Sequence, residues 1–182
     1  MNVPNKITVF RVCMVPIFVV LMLVDTIPYH NIIAAVVFVV ACASDALDGY
    51  IARKYNLVSN FGKFMDPLAD KLLVSAALLC FLDMKDNPMP VWVVIIIISR
   101  EFIISGFRLV ASDAGIVIAA NYWGKVKTVV QMVMSVVLIL NFSGRFFDTL
   151  ELILIYASAV LAVISLVTYL IDNRKVIADG KM

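Results

Sequence analysis

Residues 31–82 read NIIAAVVFVVACASDALDGYIARKYNLVSNFGKFMDPLADKLLVSAALLCFL, two long apolar runs joined by a polar junction. Each run approaches the ~20 mostly apolar residues that a bilayer-spanning helix needs. Four aspartates, Asp45, Asp48, Asp66 and Asp70, stand where the runs adjoin. A carboxylate at bilayer depth is costly, so its presence there marks function. Four of them close together repel one another. Two divalent cations would cancel their formal charge, and such ions favour oxygen ligands.

The rest of the chain agrees with a membrane setting. Of its 182 residues, 63% are hydrophobic and 15% are charged, and mean hydropathy is +1.02. Soluble domains are about a quarter charged. The fold class expected is all-α, a polytopic membrane protein. Six spans can be placed at roughly Ile7–Val24, Asn31–Ala52, Phe64–Leu82, Val91–Val110, Tyr122–Asn141 and Leu150–Ile171. Turn signals at Pro28, at Pro88 and Pro90, at Gly115 and at Gly144 separate them. Little length remains for a second folded body, so residues 1–182 are expected to form one membrane domain. Lys6 and Arg11 before the first run could mimic a leader peptide, but no clear small-residue cleavage site follows, so that run is expected to be a retained helix.

Lys and Arg set the orientation. With both termini cytoplasmic, all of the 15 basic residues but Lys85, Arg145 and the mid-span Arg100 fall at cytoplasmic ends or loops. Trp92, Trp123, Tyr122, Tyr29 and Tyr169 lie near span ends, as interfacial anchors do. Cys13, Cys42 and Cys80 lack metal-ligand spacing and read as small buried hydrophobes.

Residues three or four apart share a helix face. Asp45, Asp48 and Ala52 make one stripe, and Gly62, Asp66 and Asp70 make another. The short connection Lys54–Phe61 makes the two helices antiparallel neighbours, and Gly62 and Pro67 suit the first turns of the second. Facing stripes of carboxylates can hold two metals a few ångströms apart, the arrangement that stabilises attacking and leaving oxygens in phosphoryl transfer. Gly49 and Gly62 would let a bulky ligand approach the backbone, and Arg53 offers a planar fork to a phosphate. The plainer alternative is an acidic ion pathway, or carboxylates paired with Lys54, Lys63 and Lys71. Interfacial lysines can snorkel and need no such partner, and the outer halves of the spans lack a polar path.

The string D-x-x-D-G-x-x-A-R-x(8)-G-x-x-x-D-x-x-x-D fixes eight positions over 26 residues without a mismatch. It resembles the signature of the CDP-alcohol phosphatidyltransferase family. The resemblance implies a six-helix membrane enzyme that joins an alcohol to the phosphatidyl group of CDP-diacylglycerol and releases CMP. It implies a homodimer with a cytoplasm-facing site for two divalent ions, Mg2+ or Mn2+. By that resemblance Asp45, Asp48, Asp66 and Asp70 are metal ligands and Asp70 is also the general base. Gly49, Ala52, Arg53 and Gly62 line the CDP pocket. A bacterial inner membrane suits such a chain, and no nucleic-acid partner is expected. A membrane prenyltransferase also binds a diphosphate through aspartates and magnesium, but the glycine, alanine and arginine spacing favours CDP-alcohol chemistry.

Three further stretches resemble family members whose acceptor is glycerol 3-phosphate: Ser99-Arg100-Glu101-Phe102, Ser105-Gly106-Phe107-Arg108, and residues 117–128. Asn5-x-x-Thr8-x-x-Arg11 fits the same members. An anionic acceptor needs cations, and Arg100, Arg108, Lys125 and Lys127 are the candidates for its phosphate. Arg100 and Arg108 are about 12 Å apart along a helix, and Arg100 lies deep enough to need a partner such as Glu101 or the substrate. Serine-, inositol- or cardiolipin-type acceptors are the alternatives within the family. His30, the only histidine, is expected to be a loop residue.

Overall fold

Runs of Val, Ile, Leu, Ala and Phe placed in lipid leave the backbone few ways to satisfy its polar groups, and the helix satisfies them within one segment. The computed structural model describes the backbone of residues 3–55, 60–84, 88–113, 118 and 121–174. It also describes their side chains, except at residues 3–5, 45–55, 60–67, 70 and 113. Six helices follow in order: α1 (Val3–Leu23), α2 (His30–Tyr55), α3 (Asn60–Asp83), α4 (Val91–Asp113), α5 (Tyr122–Leu140) and α6 (Arg145–Asp172). No strand occurs among the described residues. Among the described residues three stretches are long and apolar enough to cross a membrane: Lys6–Leu23, Tyr122–Leu140 and Arg145–Asp172. The helices run past the expected spans mainly at polar ends. α3 begins at Asn60, so Pro67 falls in its second turn, and α6 begins at Arg145.

The exposure pattern inverts that of a soluble protein. Val36, Val39, Ile95, Val129 and Val160 are exposed, while Thr8, Arg11, Arg100, Lys127, Gln131 and Ser158 are buried. Apolar surface facing outward costs nothing in lipid, whereas polar groups there must turn inward.

Two compact units can be separated: Met1–Asn87 with Ser135–Phe142, and Pro88–Met134 with Ser143–Met182. In the first, α1 packs against both α2 and α3. Its buried stripe is Thr8, Arg11, Val15, Phe18 and Met22, at alternating spacings of three and four. α2 contributes Ala34, Phe38 and Ala41, and α3 contributes Leu73, Ala77 and Cys80. Phe18 and Phe38 meet with ring centres 5.8 Å apart. The alanines let helices approach closely, which matters where lipid supplies no hydrophobic drive to associate.

In the second unit α4 packs against α6. The contacts ascend together along both helices: Trp92 with Tyr156, Arg100 with Ser165, Phe107 with Tyr169. The two helices are therefore parallel. Ala159 and Ala162 are buried on α6. α5 starts from an Asn121 cap, whose Oδ1 accepts from the Gly124 N–H at 2.8 Å. Gly144, with φ +139°, opens α6 in a conformation that side chains resist.

Two sequence expectations need correction. Of the three cysteines only Cys80 is buried; Cys13 is exposed and Cys42 intermediate. A thiol on an outward helix face meets the same apolar surroundings in lipid as in a core, so apolar context does not reveal which way it points. Tyr29, Tyr122, Trp92 and Trp123 are exposed as anchors should be, but Tyr169 is 1% exposed. It stands on the face of α6 that meets α4, not on the outer surface.

Replacing Ala41, fully buried in the first unit, with leucine should destabilise the protein by about 1–3 kcal/mol through overpacking. Thermal unfolding in detergent would show a lowered midpoint; an unchanged midpoint would mean this seam is loosely packed.

Candidate functional site

The aspartate signature divides between two neighbouring helices. α2 carries positions 45, 48, 49, 52 and 53, and α3 carries 62, 66 and 70. The side chains of Asp45, Asp48, Gly49, Ala52, Arg53, Gly62, Asp66 and Asp70 lie outside the described residues. Their register is nevertheless defined by the helical backbone. Positions 45, 48 and 52 continue the stripe of Ala34, Phe38 and Ala41 at the same spacing of three and four. Positions 66 and 70 likewise lead into Leu73, Ala77 and Cys80. Both sets of positions thus share the helical register of the buried stripes.

α1 adds to this end of the unit. Thr8 and Arg11 are buried, on the α1 stripe packed against α2 and α3, and both have interaction partners. Among the described residues, no group of three His, Cys, Asp or Glu side chains could hold a metal ion. At the far ends of α1 to α3 lies a cavity of about 430 Å3, lined by residues including Asp25, His30, Asp83 and Asn141. His30, expected in a loop, is instead the first residue of α2. Its Nδ1 is 3.1 Å from the Leu21 carbonyl oxygen, to which it donates. None of the predicted site residues lines this cavity.

The second unit brings together two of the four predicted acceptor cations. Arg100 is buried; its Nε donates to Ser165 Oγ at 2.9 Å and its Nη1 to Glu101 Oε1 at 2.9 Å. Lys127, also buried, donates from Nζ to the same Glu101 oxygen. One carboxylate therefore serves two cations. Asn121 ties the start of α5 to α6, its Nδ2 donating to Thr168 Oγ1 at 2.9 Å. Gly124 leaves room there: a Cβ would lie 2.9 Å from Asn121 Oδ1 and 3.1 Å from Arg100 Nη2, so either side chain would have to shift. Arg108 lies over the Tyr169 ring, with its guanidinium carbon 5.6 Å from the ring centre. Lys125 is exposed. Ser165, Thr168 and Tyr169 share one face of α6 and meet Arg100, Asn121 and Arg108 in turn.

Glu101 stood in the sequence as a possible partner for Arg100, and the structure confirms that contact. Ser165, Thr168 and Tyr169 carried no such signal by residue type. Their spacing did: Glu151, Ser158 and Ser165 recur every seven residues along an otherwise apolar helix, and all three are buried. Polar residues repeating on one face of a membrane helix mark the side that seeks helical partners.

Comparison with known proteins follows this geometry. The family model for CDP-alcohol phosphatidyltransferase matches residues 1–169. A protein of Bacillus subtilis (strain 168) named CDP-diacylglycerol--glycerol-3-phosphate 3-phosphatidyltransferase is 47% identical, over 77% of each chain. Proteins of the same name in Rickettsia bellii and Haemophilus influenzae are 34% and 36% identical. These two alignments cover 92% and 93% of this chain, and 93% and 91% of theirs.

Glu101→Ala should cost on the order of 3 kcal/mol, because it removes the carboxylate that two buried cations share. Lys125→Ala, on the exposed surface, should change stability by less than about 0.5 kcal/mol. Detergent melting curves for both variants test this; equal midpoints would show that the Glu101 cluster holds nothing together.

Proposed function

The chain belongs to the CDP-alcohol phosphatidyltransferase family, and from that membership we propose that it transfers the phosphatidyl group of CDP-diacylglycerol to glycerol 3-phosphate. The products are phosphatidylglycerophosphate and CMP, a step in making phosphatidylglycerol and the precursor of cardiolipin. The observation that carries this is the unbroken eight-position signature, set in line with the buried stripes of α2 and α3. The printed names of the relatives supply the acceptor.

The donor set fits a hard divalent cation, since four carboxylates at one-turn spacings offer oxygen ligands alone. Asp45, Asp48, Asp66 and Asp70 would hold two such ions, Mg2+ or Mn2+. When bound, the ions draw charge from the diphosphate and steady the oxygens that attack and leave. Gly49, Ala52, Arg53 and Gly62 receive the CDP portion, the glycines by leaving backbone open and Arg53 by its fork of donors. Asp70 accepts the proton of the acceptor's 1-hydroxyl. That oxygen forms a bond to the β-phosphorus, the bond from this phosphorus to the CMP oxygen breaks, and CMP leaves with the electron pair. Arg100, Arg108, Lys125 and Lys127 bind the acceptor phosphate, with Arg100 and Lys127 held in place through Glu101.

The same reading takes the chain as one membrane domain of six spans with both termini cytoplasmic. It acts as a homodimer in a bacterial inner membrane, with its site open to the cytoplasm and the acyl chains remaining in the bilayer. The positive-inside distribution supports the orientation. The parallel run of α4 and α6, with α5 returning between them in sequence, agrees with alternate crossings.

Asp70→Asn should keep the fold and lower CMP release by about 100-fold to 10,000-fold, the range for removing a general base; activity within tenfold of wild type would move the base elsewhere. Chelator treatment should bring CMP release to background, and Mg2+ or Mn2+ should restore it. Full turnover in chelator would reject the metal assignment. Arg108→Ala should raise the KM for glycerol 3-phosphate more than that for CDP-diacylglycerol, and equal rises would remove Arg108 from the acceptor group.

A further inference from the structure

Tyr169 is 1% exposed, and its buried hydroxyl has no hydrogen-bond partner among the described residues. Arg108 Nε is in the same condition. The two belong to one contact, since the Arg108 guanidinium lies over the Tyr169 ring and Phe107 presents its edge to that ring at 5.7 Å. Leaving a buried donor unpaired carries the full cost of taking it out of water. Phenylalanine would keep the ring packing without that cost.

The neighbouring hydroxyls on the same face of α6 are engaged. Ser165 accepts from Arg100 and donates to the Ala162 carbonyl. Thr168 accepts from Asn121 and donates to the Ile164 carbonyl. Glu101, the carboxylate of this cluster, already receives Arg100 and Lys127. Two buried donors on side chains in contact with each other therefore lack an acceptor among the described residues. The missing partner is one that accepts hydrogen bonds and carries negative charge.

We infer that the Tyr169 hydroxyl, together with Arg108 Nε, donates to the phosphate of the acceptor substrate, making Tyr169 a binding residue for phosphorylated acceptors. This rests on the acceptor-phosphate role proposed above for Arg108 and deepens it. A hydrogen bond to a charged oxygen in such surroundings is stronger than one between neutral groups.

Tyr169→Phe in the full-length protein, purified in detergent with CMP release as the readout, tests this. The variant should melt at or above the wild-type temperature. The KM for glycerol 3-phosphate should rise roughly tenfold to a hundredfold, the range for losing a hydrogen bond to a charged group, while the KM for CDP-diacylglycerol stays within about twofold of wild type. The melting-temperature rise that glycerol 3-phosphate produces should shrink in step. An unchanged acceptor KM, or equal shifts in both KM values, would overturn the inference. Failure of Tyr169→Phe to fold would also overturn it, because the hydroxyl would then be structural. Arg108→Ala measured alongside separates the two levels. If it raises the acceptor KM while Tyr169→Phe does not, the Tyr169 inference alone fails; if neither does, the acceptor group itself lies elsewhere.

Discussion

A charge placed in a helix that faces lipid has to find its counterpart within the protein. That requirement organises the second unit of this chain. Arg100 and Lys127 come from different helices and would repel if left alone, and the Glu101 carboxylate holds both. Ser165 takes a further donor from Arg100, which fixes α6 to α4. The apolar contacts around this cluster are of the kind any lipid tail could offer. The polar ones are particular to this sequence, so they set which helix lies beside which and in what register.

The first unit answers the same requirement differently. Its carboxylates are concentrated at the ends of two helices that a short segment joins, and α1 brings Thr8 and Arg11 on the stripe packed against those helices. Burial of an arginine in a candidate spanning helix is as informative as the aspartates themselves. The two units thus carry different polar clusters. Under the proposed function the aspartate signature would serve cations and a nucleotide diphosphate, and the α4–α6 cluster would serve an anion. An enzyme that joins an anionic acceptor to a liponucleotide has use for both.

Much of this could be read from the chain before any coordinates. Six helices were expected and six are seen among the described residues, three of them long and apolar enough to cross a membrane, and several extend at polar ends further than hydropathy alone indicates. The signature was legible because its residues are chemically costly in their setting. Tyr169 was misread for the converse reason: an aromatic near a helix end looks the same whether it faces the lipid headgroups or a neighbouring helix. Cys13 was misread likewise, since apolar neighbours in sequence do not distinguish a core from a lipid-facing surface. Direction around the helix axis decides such cases. It was available in the seven-residue recurrence of Glu151, Ser158 and Ser165, which points the α6 face bearing Tyr169 inward.

The parallel arrangement of α4 and α6 has a consequence for how the protein is made. Parallel neighbours cannot be joined by a tight turn, so the bond between Arg100 and Ser165 spans 65 positions of chain. During synthesis α4 leaves the ribosome well before α6 exists. Until the final helix arrives, the guanidinium of Arg100 lacks the hydroxyl that will receive it. The later segment is therefore the one that completes this polar contact, and a nascent chain halted before α6 would present an unfinished polar seam to the insertion machinery and to quality-control proteases.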